Sequence, residues 1–132
     1  MSYTFLVVDD SPLIRKMMKR SLGLSKLEVG QVFEATNGRE ALELLRSEWI
    51  DVVLADIHMP VMSGTELIER MSHDELLGKI PVVVVSAERS EPAIEHLKAL
   101  GICAHLRKPF TPEHLLATVT GVLDEAGRRA RS

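Results

Sequence analysis

Five short apolar runs recur along this chain, and a segment with helical spacing follows each one. The runs are Phe5-Leu6-Val7-Val8, Val29 to Ala35, Val52-Val53-Leu54-Ala55, Ile80 to Val85 and Cys103 to Leu106. Consecutive apolar residues without polar alternation read as strands covered on both faces, as in a parallel sheet. The intervening segments place Ile14, Met17, Met18, Ser21 and Leu22 on one face, then Ala41, Leu42, Leu44 and Leu45. Leu67, Ile68 and Met71 follow, then Ile94, Leu97 and Leu100, and finally Leu115, Leu116, Val119, Val122 and Leu123. Strands alternating with helices require parallel pairing through right-handed crossovers. The expected fold is therefore α/β: a doubly wound, five-stranded parallel sheet with five helices.

Local signals set the boundaries. Ser11-Pro12 is a cap followed by proline at a first helical position, and Gly23 weakens or ends that helix. The second run is broken by Gly30 and Gln31, which predicts an edge strand. Asn37-Gly38 marks a turn, and the next helix is expected to end near Trp49. Ser63 or Thr65 caps the third helix. Glu91-Pro92 opens the fourth, Gly101 closes it, and Thr111-Pro112 opens the fifth.

The strand ends carry the chemistry. In a parallel sheet the carboxyl ends of all strands lie on one rim, and ligands bind there. Those ends hold Asp9-Asp10, Asp56, Ser86 and Lys108; the second strand offers only Thr36 just beyond it. Singly, Ser86 could cap a turn, Lys108 could be a surface lysine and Asp9-Asp10 could cap a helix. With Asp56 as a turn residue beside them, these readings require four coincidences on one rim. Three carboxylates there repel one another unless a cation sits among them. Lys108 offsets one negative charge and a divalent ion would offset two. Hard oxygen ligands suit Mg²⁺. An ion beside a carboxylate, a lysine and a hydroxyl suits phosphoryl transfer, in which a carboxylate can be the nucleophile.

Composition bounds the rest. The 132 residues favour one domain, with 45% apolar and 27% charged residues as in soluble globular proteins. We place the domain at residues 1–124 and a short basic tail at 125–132, the latter a solvated helix end. A net charge of −3 gives no push toward nucleic acid, and Arg128, Arg129 and Arg131 are too few to argue it. The single cysteine, Cys103, excludes an intramolecular disulfide and is expected to be packed. The run Phe5 to Val8 is too short for a signal peptide, and no run could span a bilayer. The expectation is a cytoplasmic protein without membrane or direct nucleic-acid contact.

Val7-Val8-Asp9-Asp10-Ser11, Asp56-Ile57-His58-Met59-Pro60, Ser63-Gly64, Val85-Ser86-Ala87-Glu88 and Lys108-Pro109-Phe110 together resemble the receiver domain of two-component response regulators, of the stand-alone chemotaxis-regulator type. The resemblance runs to roughly Asp124. It implies the flavodoxin-like strand order 2-1-3-4-5. It implies that Asp56 is the phosphoacceptor, and that Asp9, Asp10, Asp56 and the backbone carbonyl of His58 bind Mg²⁺. Lys108 would pair with phosphoryl oxygens. The Ser86 hydroxyl and the Ala87 N–H would donate to the phosphoryl group. A cis bond before Pro109 is plausible.

The resemblance also marks His58 and Glu88 as positions where dephosphorylation rate is tuned; loop residues with no special task are the alternative. His105 departs from the pattern, which usually has Tyr or Phe at this switch position. It would swing inward with Ser86, and burial would lower its pKa on activation. A satisfied strand histidine is the competing reading. The chain is then no enzyme but a signalling phosphoacceptor that assists its own phosphotransfer and dephosphorylation. Its partners would be a histidine kinase or histidine phosphotransfer protein and an unidentified output protein. A phosphatase with an aspartyl nucleophile is disfavoured because His58, not an acid, lies two residues after Asp56. A flavin-binding module is disfavoured because Asp9-Asp10 stands where a phosphate-cradling loop would be. A receiver fragment of a longer regulator is the remaining alternative.

Overall fold

A computed structural model describes the backbone of residues 2–131 and the side chains through residue 128. The elements run β1 (Tyr3–Val8), α1 (Pro12–Gly23), β2 (Val29–Ala35), α2 (Gly38–Ser47), β3 (Val52–Ala55) and α3 (Gly64–Ser72). They continue with a single 3₁₀ turn (Leu77–Lys79), then β4 (Val82–Ser86), α4 (Glu91–Ala99), β5 (Ala104–Arg107) and α5 (Pro112–Arg131). All neighbouring strands pair in parallel, in the order β2-β1-β3-β4-β5. The expected doubly wound sheet and its flavodoxin-like order are both present.

The side-chain period of two divides each central strand between two cores. Phe5 and Val7 of β1 point to a layer that includes Met18 and Leu22 of α1 and Leu115 and Val119 of α5. Leu6 and Val8 point the other way, to Leu42 and Leu45 of α2, Leu67 and Met71 of α3 and Leu97 of α4. Because both faces are covered, β1, β3 and β4 have no room for polar alternation, which is why they read as unbroken apolar runs. The 3₁₀ turn had no signal in the sequence.

All five helices start on side-chain caps, α5 on Thr111, whose Oγ1 accepts the His114 N–H at 3.1 Å. Ser11 Oγ accepts the Ile14 N–H, and Asn37 Oδ1 accepts that of Glu40. Ser63 Oγ accepts the Glu66 N–H, and Ser90 Oγ that of Ala93. Ser63, not Thr65, is thus the cap of α3. Each such cap is worth about 1 kcal/mol. Gly101, at φ 99°, closes α4 in a conformation that suits glycine.

Several boundaries differ from expectation for local reasons. α2 stops at Ser47, and Trp49 lies outside it at 82% exposure, its indole N–H donating to Asp51 Oδ1 at 3.1 Å. β4 begins at Val82, since Pro81 lacks an N–H for the ladder. β5 begins one residue late, at Ala104. Cys103 is exposed rather than packed, because it precedes an edge strand whose Ala104, His105 and Leu106 are only half-buried. Met17, expected on the inner face of α1, is 39% exposed. Among the described residues no helix is long and apolar enough to cross a membrane.

The start of α3 packs directly on the residues that follow β3. The Gly64 N–H donates to the Ile57 carbonyl at 3.0 Å, and a Cβ at Gly64 would collide with the Asp56 carbonyl oxygen. Gly64→Ala is therefore expected to lower stability by about 1–3 kcal/mol, the usual cost of overpacking. Urea unfolding measures it, with Thr65→Ala as the control. Equal midpoints for the two variants would show that this loop has slack.

Candidate functional site

Apolar burial fixes β1 and β3, and their register sets the two residues just beyond them. Val8 pairs with Ala55, so Asp9 and Asp56 emerge side by side. Each main chain is tied once more beyond its run: the Asp9 N–H donates to the Ala35 carbonyl, and the Asp56 N–H to the Val8 carbonyl. Asp9 is 1% exposed and Asp56 8%. Asp9 Oδ1 accepts the Ser11 N–H at 2.9 Å, and Asp56 Oδ1 accepts the Ile57 N–H at 2.7 Å. Their other oxygens meet one cation. Lys108 Nζ lies 2.7 Å from Asp9 Oδ2 and 3.2 Å from Asp56 Oδ2. Burial alone would depress the Lys108 ammonium. The hydrogen bond to Asp9 and the charges of Asp56 and Asp9 outweigh it, so its pKa lies above the ordinary lysine value.

Asp10 completes the acidic group from an exposed position. One oxygen from each of Asp9, Asp10 and Asp56 lies within 4.8 Å of the others. The donors are hard carboxylate oxygens with a single lysine as counter-charge, a set that fits a small divalent cation such as Mg²⁺. Lys108 itself is carried by the β5–α5 loop. Its N–H donates to the Ser86 carbonyl at 2.8 Å, and the bond to Pro109 is cis.

The other half of the rim belongs to β4 and β5. Ser86 ends β4 and is wholly buried. Its Oγ accepts the Glu88 N–H at 3.2 Å and lies 3.0 Å from His105 Nε2. Ala87, exposed, comes next in the chain. His58 and Glu88, two residues past Asp56 and Ser86, meet across the rim at 3.5 Å. The Ser90 and Arg89 N–H groups bind the Glu88 carboxylate and hold its pKa below the ordinary value.

Three features carried no clear signal in the sequence. Arg15, one turn into α1, donates from Nη1 to the Asp9 carbonyl at 2.7 Å and from Nε to Glu34 Oε1 at 3.1 Å. Glu34 also accepts from Lys19 at 3.0 Å. The one hint was an arginine four residues past the Ser11 cap; its pairing with β2 depends on strand order. Val61 has φ 70°, a rare conformation for a β-branched residue. Thr36 is engaged by α2: its N–H and hydroxyl both donate to Glu40 Oε1. A separate cavity of about 610 Å³, walled by Trp49, Leu76, Leu77 and Pro81 among others, contains none of these groups.

His105 titrates below the ordinary histidine value of 6.5. Burial is the main cause; Arg107 and Lys98 add to it, and Glu88 opposes it. Between the lowered value and 6.5 the unfolded chain binds more protons than the folded one. The ring's contribution to stability is therefore complete above pH 6.5 and is lost as pH falls below it. On going from about pH 7 to about pH 5, where histidine titrates, wild type should lose more stability than His105→Gln. Urea midpoints measure this, and equal losses would show that the ring does not carry the effect.

Comparison with known proteins agrees with this geometry. The response regulator receiver domain model matches residues 5–120. A chemotaxis protein CheY homolog of Campylobacter jejuni is 33% identical over 119 residues, covering 89% of this chain and 90% of that protein. The phosphate regulon regulator PhoB of Pseudomonas aeruginosa is 32% identical over 124 residues, covering 94% of this chain but 53% of PhoB. The high-resolution structure of chemotaxis response regulator CheY4 of Vibrio cholerae superimposes with a TM-score of 0.84 at 34% identity, covering 92% of this chain and 99% of that one. Sequence, topology and rim chemistry converge: the chain belongs to the response regulator receiver domain family.

Proposed function

We propose that this receiver domain is a phosphoacceptor of a two-component phosphorelay, phosphorylated on Asp56 in a Mg²⁺-dependent reaction. One observation carries the reading: a single half-buried ammonium, Lys108 Nζ, joins Asp9 and Asp56 while Asp10 stands beside them. A carboxylate oxygen of Asp56 attacks the phosphorus of a donor, and the bond from phosphorus to the donor's nitrogen or oxygen breaks. Lys108 faces the negative charge that gathers on the phosphoryl oxygens. Asp9, Asp10, Asp56 and the His58 carbonyl would hold Mg²⁺, which supplies charge neutralisation when bound. Ser86 and the Ala87 N–H are the further donors to the phosphoryl group. His58 and Glu88, in contact with each other, are the candidates for tuning its hydrolysis.

Membership of the family implies interaction with kinases and downstream targets. We assign the donor as a histidine kinase or histidine phosphotransfer protein, and the output as phosphorylation-dependent binding of a partner in the cytoplasm by a domain spanning residues 1–124. The PhoB match favours a second reading, because it covers about half of that protein. In that case the same chemistry serves as the receiver part of a longer regulator.

Acetyl phosphate with Mg²⁺ should add one phosphoryl group to the wild-type chain by intact mass, and none to Asp56→Asn. The adduct should be labile, as an acyl phosphate is. A phosphorylated Asp56→Asn would sink the assignment.

Mg²⁺ should raise thermal stability by relieving repulsion among the three carboxylates. At a hundredfold excess over the dissociation constant the gain is about 2.7 kcal/mol. Asp10→Asn should respond with a shallower slope against Mg²⁺, whatever its starting midpoint. Parallel slopes would remove Asp10 from the ion site.

A further inference from the structure

The Ser86 hydroxyl has one proton and two lone pairs, and its buried position limits which groups can meet them. One lone pair takes the Glu88 N–H at 3.2 Å. His105 Nε2, at 3.0 Å, meets the proton or the other lone pair. Two arrangements satisfy that contact. If Nε2 carries no proton, the Ser86 O–H points at the imidazole and is committed there. If Nε2 carries a proton, it fills the second lone pair, and the Ser86 proton is left to donate elsewhere.

We propose that His105 is a positioning residue acting through Ser86: the direction of their hydrogen bond decides whether the serine proton is held by the imidazole or turned to a phosphoryl group on Asp56. This rests on the reading of Asp56 as phosphoacceptor. A phenylalanine at this position could not do it, since its ring has neither donor nor acceptor. Ser86 also sits where such a switch matters. Its carbonyl holds the Lys108 N–H at 2.8 Å, and Lys108 Nζ reaches Asp56 at 3.2 Å.

The groups facing the ring set its charge. Arg107 lies two residues along β5, and the charges of Lys98 on α4 and of Glu88 in the β4–α4 loop also act on the ring. The two cations and burial disfavour an imidazolium, against the pull of Glu88. The ring is thus neutral near pH 7, and the exchange is tautomeric. Nδ1 gives its proton to solvent and Nε2 takes one, so the ring's charge does not change. Burial on activation and release of the serine proton pull any titration in opposite directions. The tautomer is the cleaner measure.

The experiment uses the whole chain with Mg²⁺ and beryllofluoride, a phosphoryl stand-in, at about pH 7.5, well above the histidine reference value. Nitrogen NMR of the ¹⁵N-labelled His105 ring should report an unprotonated Nε2 without beryllofluoride and a protonated Nε2 with it. Beryllofluoride affinity is then compared in wild type, His105→Phe, Ser86→Ala and the double variant. His105→Phe should bind about fivefold more tightly, the scale of one competing hydrogen bond. In the Ser86→Ala background the same substitution should have no effect. An Nε2 in the same protonation state in both conditions overturns the proposal. So does an equal effect of His105→Phe in both backgrounds. Wild type that fails to bind beryllofluoride overturns the phosphoacceptor reading as well; binding without coupling overturns this inference alone.

Discussion

The structure depends on one ammonium held between two carboxylates that the sheet has taken out of water. Lys108 is 99 residues from Asp9 and 52 from Asp56 in sequence, yet it touches both. Removing two such carboxylates from solvent is costly unless each is paired and hydrogen-bonded. Here each carboxylate has a backbone N–H on one oxygen and the lysine on the other. The contact exists only because β1 and β3 are neighbours and the β5–α5 loop reaches back over β4. Fold and site are therefore the same construction, and a slip of one residue in β1 or β3 would turn a carboxylate into the core.

The main chain guards against that slip. Asp9, Asp56 and Lys108 each donate an N–H to the neighbouring strand, to Ala35, Val8 and Ser86 respectively. Each functional residue is thus tied into its neighbour by one more bond past the apolar run. Side chains at the rim can exchange partners without moving the backbone that presents them. That division suits the proposed chemistry, which adds and removes charge at Asp56.

Much of this was legible in the sequence because apolar runs and the first polar residue after them survive translation into space directly. Asp9, Asp56 and Ser86 needed only the rule that parallel strands end on one rim. Contacts between side chains from different loops were not legible. Arg15 with Glu34, His58 with Glu88 and His105 with Ser86 all depend on strand order and rotamer, neither of which periodicity encodes. Cys103 misled for a related reason: an apolar run at an edge strand looks the same in sequence as one in the centre.

The two loops flanking the site differ in freedom, and the difference gives the rim a direction. The β3–α3 loop is fixed at both ends, by the Asp56 N–H on Val8 and the Gly64 N–H on Ile57. Between them the chain must reverse tightly, so the Met62 N–H folds back on the Pro60 carbonyl and Val61 takes a positive φ. Strain of this kind costs of order 1–3 kcal/mol and persists only where the surroundings over-determine it. The β4–α4 loop is tied at Ser86, whose carbonyl takes the Lys108 N–H, but among the described residues no main-chain bond clamps its far side as Gly64 does in the β3–α3 loop. Ala87, Arg89 and Ser90 are exposed, and the Glu88 carboxylate holds the backbone there through two N–H groups. A charge added at Asp56 meets a stiff wall on the β3 side and a loop held by side-chain hydrogen bonds on the β4 side. On the proposed phosphorylation of Asp56, rearrangement would fall on Ser86, Glu88 and His105, which are joined to one another by side-chain hydrogen bonds and not by the ladder.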